Sequence, residues 1–588
     1  MTAAMSDLQA PTSLTPKSTV ASVPEATQGS KSLALGRPRW SAGYSNWAQA
    51  IAALGPQQAA AAASGPFAVA MVLPDGRVFL AVDRFAQETL CYRVAGSRLL
   101  FAPGADQLTD SPAGDAAPAR PQGSAPGTAP LAPQALFDYL FLHAIPSPAT
   151  VFEGVHRLPP GHFALFENGQ LTVAPYRPTR FQTPAKGDFG TLKAEFRALL
   201  RNAVKNELGA GTPACFLSGG TDSSTVTGYV REVAGQVHTY SIGFDAEGYD
   251  EMEYARIAAR HFGADHHEYY VTPDDLVRSI ADVAASYDQP FGNSSALPAY
   301  YCALQAKGNG VQKLLAGDGG DELFGGNSRY AMQRVYGLYG QVPAVLRAGL
   351  IEPVLAIPGA HRIPLWRKGR GYVRDAKTPL PDRMDHYNLM HRLGMQEVLS
   401  PGFLAAVRVQ GPLEQQRQVW AMADADNELD RMLAFDWRYT LGESDLPKVR
   451  GTCRLAGMEV GYPMLDDALT EFSMRLPTSY KLRGFKLRWF FKEALRDFLP
   501  EAIITKQKKG FGLPFGVWAT RHAPLKALAS DSVRSFAQRG VVRPEFVRRL
   551  LDEHLPAHPG YYGEMVWILM MLEQWLRHHA PDWRWQRA

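Results

Sequence analysis

Two glycine-rich stretches hold most of the residues that could do chemistry. The first, Ser218-Gly219-Gly220-Thr221-Asp222-Ser223, follows the apolar run Cys215-Phe216-Leu217. Adjacent glycines let a backbone approach a ligand closely, and a helix opening after them offers free amides to an anion. Ser218, Thr221, Ser223 and Ser224 add hydroxyls, so a phosphate or pyrophosphate suits the loop. Asp222 would repel that ligand unless a divalent cation stood between them, which calls for Mg2+. The second stretch, Gly317-Asp318-Gly319-Gly320-Asp321-Glu322, sets three carboxylates within five residues. Ionised side by side, they repel one another unless a cation is held among them. Alone, the first stretch also fits a capped turn and the second a solvated acidic turn. Together, one loop for oxyanions and one for cations point to an ATP–Mg2+ site. The spacing is not that of the common Gly-x4-Gly-Lys-Ser/Thr nucleotide loop, and no lysine follows.

These loops need elements to aim them. The helical stretch LKAEFRALLRNAVKNEL leads to a strand ending at Leu217, and a helix starts near Ser224. Strands at Val237–Phe244, His267–Val271 and Val311–Leu315 alternate with helices at Glu251–Phe262, Leu276–Ser286 and about 297–306. That alternation predicts an α/β domain with a doubly wound parallel sheet, where ligands sit beyond the carboxyl ends of strands. The remainder, to about 580, reads as helical. Residues 36–178 read as a small β-rich domain. Its signs are a hairpin at Phe67–Leu73 and Arg77–Val82 around Pro74-Asp75-Gly76, and a tight turn at Asn168-Gly169 within 162–175. Residues 1–35 and 103–133 are rich in Ala, Ser and Pro, and read as a disordered tail and a flexible insertion.

The chain of 588 residues has 61 basic and 57 acidic side chains, a balance that predicts neither a nucleic-acid nor a membrane partner. Four separated cysteines without metal-ligand spacing read as reduced thiols of a cytoplasmic protein. No run of about eighteen apolar residues occurs, and the first thirty residues lack the pattern of a signal peptide.

With Gly-Asp-Gly-Gly-Asp-Glu-Leu-Phe-Gly-Gly following Ser-Gly-Gly-x-Asp-Ser about a hundred residues later, the chain resembles the asparagine synthetase family. The family's synthetase domain is an ATP pyrophosphatase that adenylates its substrate. The likeness continues through TYSIGF (239–244), YDQPF (287–291), KVRGTCRLAGMEVGYPMLD (448–466), KLRGFKLRWFFKEAL (481–495) and KQKKGFGLPFGVW (506–518), and so covers 185–580. By this resemblance Asp222 and Asp321 hold Mg2+, and Ser218, Gly219, Gly220 and Ser223 hold the pyrophosphate of ATP, with Gly317 beside them. Leu217 and Ser241-Ile242-Gly243 frame adenine and ribose. Asp318, Lys448 and Glu459 line the reacting centre, and Lys486 neutralises charge during adenylation.

Gly65-Pro66-Phe67-Ala68, Leu80–Phe85 and Phe152–Gly161 are similar to the family's glutaminase domain, an Ntn-hydrolase-like amidotransferase. Its active form begins with a cysteine after the initiator methionine. This chain reads Met-Thr-Ala-Ala, so a degenerate domain without glutaminase activity is expected. Two further departures are Lys448-Val449-Arg450-Gly451, where the family has Lys-Val-Asp-Arg, and Gly461, where it has Arg. Both are expected to alter recognition beside the reacting carboxylate. The resemblance implies an amide ligase that activates aspartate or an analogue and takes ammonia or an amine, as a homodimer or with a separate ammonia supplier. A β-lactam-forming or peptide-cyclising synthetase is the alternative. A non-catalytic ATP-binding homologue would lack Asp222, Asp321 or Lys486, and a tRNA-modifying enzyme would show a basic face or paired cysteines; neither sign is present.

Overall fold

Apolar runs on either side of Pro74-Asp75-Gly76 form the hairpin they predict. The computed structural model describes residues 32–109, 130–181, 187–355, 357, 363–507 and 512–585. The N-terminal half contains strands β1 (Leu33–Gly36), β2 (Phe67–Val72), β3 (Val78–Val82), β4 (Cys91–Ala95), β5 (Arg98–Ala102), β6 (His156–Arg157), β7 (His162–Glu167) and β8 (Gln170–Pro175). Five of them pair antiparallel in the order β1-β2-β3-β7-β8, and β5-β4-β6 make a smaller sheet. The β7–β8 turn pairs Glu167 with Gln170, so Asn168 and Gly169 must both be left-handed, at φ 52° and 77°.

Two expectations about disorder need correction. Leu33–Leu35, placed in the disordered tail, belong to β1, which pairs with β2 in the register Leu33↔Ala70 to Gly36↔Phe67. Residues 103–109, placed in the flexible insertion, are packed: Ala105 and Leu108 are buried, and the Ala105 amide donates to Asp288 at 2.9 Å. Residues 1–31 and 110–129, the rest of those two expectations apart from 32 and 130–133, lie outside the described residues.

Helix α1 (Pro133–Leu142) ties the halves together. Phe137, Phe141 and Phe152 share one buried apolar cluster with Trp567 and Trp575, and the Tyr139 hydroxyl donates to the Ile568 carbonyl at 2.9 Å. Past α2 (Phe189–Glu207), whose N-cap Asp188 accepts from the Thr191 amide at 2.7 Å, the expected alternation begins. It runs β9 (Ala214–Phe216), α3 (Thr221–Ala234), β10 (His238–Phe244), α4 (Met252–Phe262), β11 (Asp265–Val271), α5 (Pro273–Ser286), α6 (Ala296–Gly308), β12 (Lys313–Leu315) and α7 (Gly320–Phe324). Much later, α8 (Leu446–Leu455) leads to a fifth strand, β13 (Glu459–Gly461), too short to show a period in the sequence. The sheet is parallel throughout, in the order β11-β10-β9-β12-β13. Chain order reverses between β9 and β12, which opens a crevice above their carboxyl ends. Helices α9 (Trp489–Ala494) and α10 (Pro559–His579) follow.

Candidate active site

Both glycine loops leave the sheet at that reversal. The 218–223 loop follows β9 and is tied to itself. The Ser218 amide donates to the Ser223 hydroxyl at 3.2 Å, and the Gly220 amide to the Ser218 hydroxyl at 3.3 Å. Gly220 caps α3 with no side-chain hydrogen bond, so no side chain there competes for the first-turn amides. Gly219, at φ 66°, would carry a Cβ 2.4 Å from the Ala255 nitrogen of α4. Only glycine fits there.

The second loop, after β12, lies directly against the first. A Cβ on Gly317 would fall 2.6 Å from the Ser223 nitrogen, and one on Gly320 would fall 2.0 Å from Asp222 Oδ1. Asp222 and Asp321 thereby face the same guanidinium. Arg488 Nη1 donates to Asp222 Oδ2 at 2.8 Å and to Asp321 Oδ1 at 2.7 Å, and Nη2 donates to Asp222 Oδ1. Arg488 is buried and lies over the Phe491 ring of α9 at 4.3 Å. Its backbone is left-handed at φ 54°, a costly conformation for a non-glycine residue. Burial alone would lower its pKa, but the Asp222 and Asp321 charges more than offset that and hold it charged. Lys492, one turn along, is shifted downward by burial and by Arg488.

A second charged group lies beside the second loop. Lys448, on α8, lies 3.0 Å from Asp445 and 3.5 Å from Asp318. Burial works against the Lys448 charge, but Asp445 and Asp318 prevail and raise its pKa; burial pushes the Asp318 carboxyl upward against the pull of Lys448. Both groups line a cavity of about 1380 Å³ that reaches from the loops to His143 of the N-terminal half and Glu564 of α10.

Leu217, Ser218, Gly220, Asp222, Ser223, Ser241, Ile242, Gly317, Asp318, Asp321, Lys448 and Lys486 all line this cavity. The Ser241 hydroxyl donates to the Leu217 carbonyl, joining β10 to the first loop. Lys486 stands exposed at the cavity's edge. Three expected positions do not line it, the first being Gly219, which is packed against α4. Gly243 is taken up by packing, since its Cβ would meet the Tyr270 ring at 2.6 Å. Glu459 begins β13, opposite Lys313, at the amino end of the parallel strands, where it pairs with Arg37 at 2.8 Å. Strand direction carries it away from the loops.

Neither departure lines this cavity. Arg450 donates to the Ala86 and Gln87 carbonyls of the N-terminal half at 2.8 and 2.9 Å. Gly451 makes room for Tyr287, whose ring its Cβ would meet at 2.4 Å. Gly461 sits beside the Lys313–Glu207 pair, where a Cβ would lie 2.5 Å from Glu207 Oε2. Sequence reading missed Arg488 and gave Lys506 no role beyond its place in the segment KQKKGFGLPFGVW. Lys506 Nζ reaches the Gly219 carbonyl at 3.4 Å and Glu251 at 3.0 Å. Arg488 stands two residues after Lys486, and only the fold shows which of the two meets the aspartates.

Residues 195–577 match the profile of the family described as asparagine synthase. The chain belongs to that family. Residues 47–177 match the glutamine amidotransferase domain. The chain is 22% identical over 448 residues to asparagine synthetase [glutamine-hydrolyzing] 1 of Bacillus subtilis, covering 75% of this chain and 68% of that protein. It is 28% identical over 190 residues to asparagine synthetase B [glutamine-hydrolyzing] of Escherichia coli, 29% of this chain and 34% of that one. It is also 24% identical over 417 residues to amidase chry2 of Gibberella zeae, 63% of this chain and 60% of that protein. Family membership makes this asparagine synthase homologue an ATP-dependent amide ligase. Among the described residues, no helix is long and apolar enough to cross a membrane.

Proposed function

We propose that the chain activates a small carboxylic acid, aspartate or an analogue, as an acyl-adenylate and then joins it to nitrogen. The observation that carries this reading is the contact of the two glycine loops where strand order reverses, with Asp222 and Asp321 turned to one point. A substrate carboxylate oxygen attacks the α-phosphorus of ATP, and the bond from that phosphorus to the bridging oxygen breaks to release pyrophosphate. Ammonia or an amine then attacks the acyl carbon, AMP leaves with the bonding pair, and the nitrogen gives up a proton.

The α3 amides with Ser218 and Ser223 receive the pyrophosphate oxyanions, while Lys506 and Lys486 offset the charge that develops as pyrophosphate leaves. Asp222 and Asp321 offer hard oxygen donors from two loops, and Arg488 already brings a cation to the point they share; this donor set fits Mg2+. Bound there, Mg2+ would supply charge neutralisation on the phosphates. Lys448, held charged by Asp318 and Asp445, orients the reacting carboxylate beside the second loop.

For the nitrogen donor, we favour ammonia or an amine delivered directly over glutamine opened by this chain. All four cysteines are buried, and burial pushes the Cys91 thiol up to about 12, out of the range of a nucleophile at neutral pH. An amine-bearing substrate, as in ring-closing synthetases, fits the same feature. The test is pyrophosphate exchange into ATP with a panel of carboxylates, followed by product analysis with ammonia, glutamine and amines. Exchange with at least one carboxylate and amide formation without glutamine are expected. Absence of exchange with every acid would overturn the adenylation step, and glutamate release from glutamine would overturn the nitrogen assignment.

A further inference from the structure

We propose that His238, Asp265 and His267 form a binding site for a divalent transition ion of the Zn2+ class, at the opposite end of the parallel sheet from the nucleotide loops. His238 and Asp265 are register partners at the start of β10 and β11, and His267 is two residues along β11 on the same face. Asp265 Oδ2 lies 3.1 Å from His238 Nδ1 and 3.5 Å from His267 Nε2. One ligand atom from each residue falls within 4.8 Å of the other two. Strand pairing, not sequence proximity, assembles the group, which is why no short motif announces it.

The His267 ring leaves one nitrogen open to an ion. His267 Nε2 is shielded from solvent and makes no hydrogen bond within the described structure. The other ring nitrogen, Nδ1, faces the Asn309 amide at the end of α6 at 3.4 Å, and Asn309 also reaches the Tyr240 hydroxyl at 3.2 Å. An ion bound at Nε2 would place the ring proton on Nδ1, where the Asn309 amide must turn its oxygen to accept it. The His267 ring is further held between Tyr240, stacked at 4.8 Å, and His238, parallel at 5.8 Å. Two imidazoles and one carboxylate suit Zn2+, Ni2+ or Cu2+, whereas Mg2+ prefers oxygen alone. Asp265 is 62% exposed at its side chain, leaving a mouth for entry and for waters that complete the coordination. An ion here would clamp the edge strand β11 to β10, which carries Ser241 and Ile242 into the cavity about 10 Å further along at 3.3 Å per residue.

The test is metal retention by the untagged full chain, equilibrated with Zn2+ and then dialysed against excess Mg2+. One equivalent of Zn2+ is expected to remain, and Co2+ in its place should give visible bands of mixed nitrogen and oxygen ligation. His238→Gln and His267→Gln should each lose the ion, and Asp222→Asn should retain it. Circular dichroism checks that each variant is folded, and the wild-type Co2+ spectrum stands independently of them. Retention by both histidine variants, loss through Asp222→Asn instead, or an all-oxygen Co2+ spectrum would overturn the site.

Discussion

Gly317 and Ser223 meet without room for a side chain: a Cβ on the glycine would lie 2.6 Å from the serine's backbone nitrogen. That contact locks the two loops into one surface. Gly317→Ala should therefore cost about 1–3 kcal/mol by overpacking and lower pyrophosphate exchange by about 100-fold through misplacement of the phosphate grip. Thermal unfolding and exchange kinetics on the same preparation check both.

Arg488 neutralises Asp222 and Asp321 in the protein without metal. Removing it with Arg488→Met leaves two facing carboxylates, at a cost of about 3 kcal/mol. Added Mg2+ should then raise the melting temperature of the variant more than that of the wild type, because the ion no longer competes with a guanidinium. Asp222→Asn or Asp321→Asn should instead lower exchange by about 10²–10³-fold. Equal Mg2+ shifts in wild type and Arg488→Met would contradict the shared cation point.

Lys486 is exposed at the cavity edge, so the role proposed for it predicts an effect on the reaction and not on the fold. Lys486→Met is expected to leave the melting temperature within a degree or so while lowering kcat about 100-fold. A matching fall in stability would point to a structural role.

Arg450 holds the halves together through the Ala86 and Gln87 carbonyls. Arg450→Met should destabilise the chain by about 1.5–3 kcal/mol and speed proteolysis between the halves, with the KM for the carboxylate unchanged. A shifted preference among carboxylates would restore the recognition role suggested by its position in the motif.

His143 provides a pH signature. Burial pushes its imidazole down to about 4, so folding favours the neutral ring. Its contribution is complete above the ordinary value of about 6.5 and is lost as pH falls toward 4, because the unfolded chain takes up the proton first. His143→Asn removes the titration and keeps a residue that tolerates the local φ of 63°. Between pH 6.5 and 4 the wild type should lose more stability than the variant, by on the order of 2 kcal/mol. Denaturant melts across that range measure the difference.

Several elements were legible because their signals are local. Asn168-Gly169 specifies its turn through two left-handed residues, and four parallel strands follow from apolar runs separated by helical periods. Leu33–Gly36 and Glu459–Gly461 were not legible. They are four and three residues long, and are strands only because a neighbouring strand supplies their hydrogen bonds.

The same division holds at the site. The order of residues alone determined the two loops, since a phosphate grip needs consecutive glycines, hydroxyls and a helix start, and a cation needs adjacent carboxylates. Tertiary structure decided which charges meet them. It brought Arg488 to Asp222 and Asp321, carried Glu459 to the far end of its strand, and spent Arg450 on joining the two halves. A long side chain can reach several partners from one position in the chain, and packing between segments hundreds of residues apart selects among them.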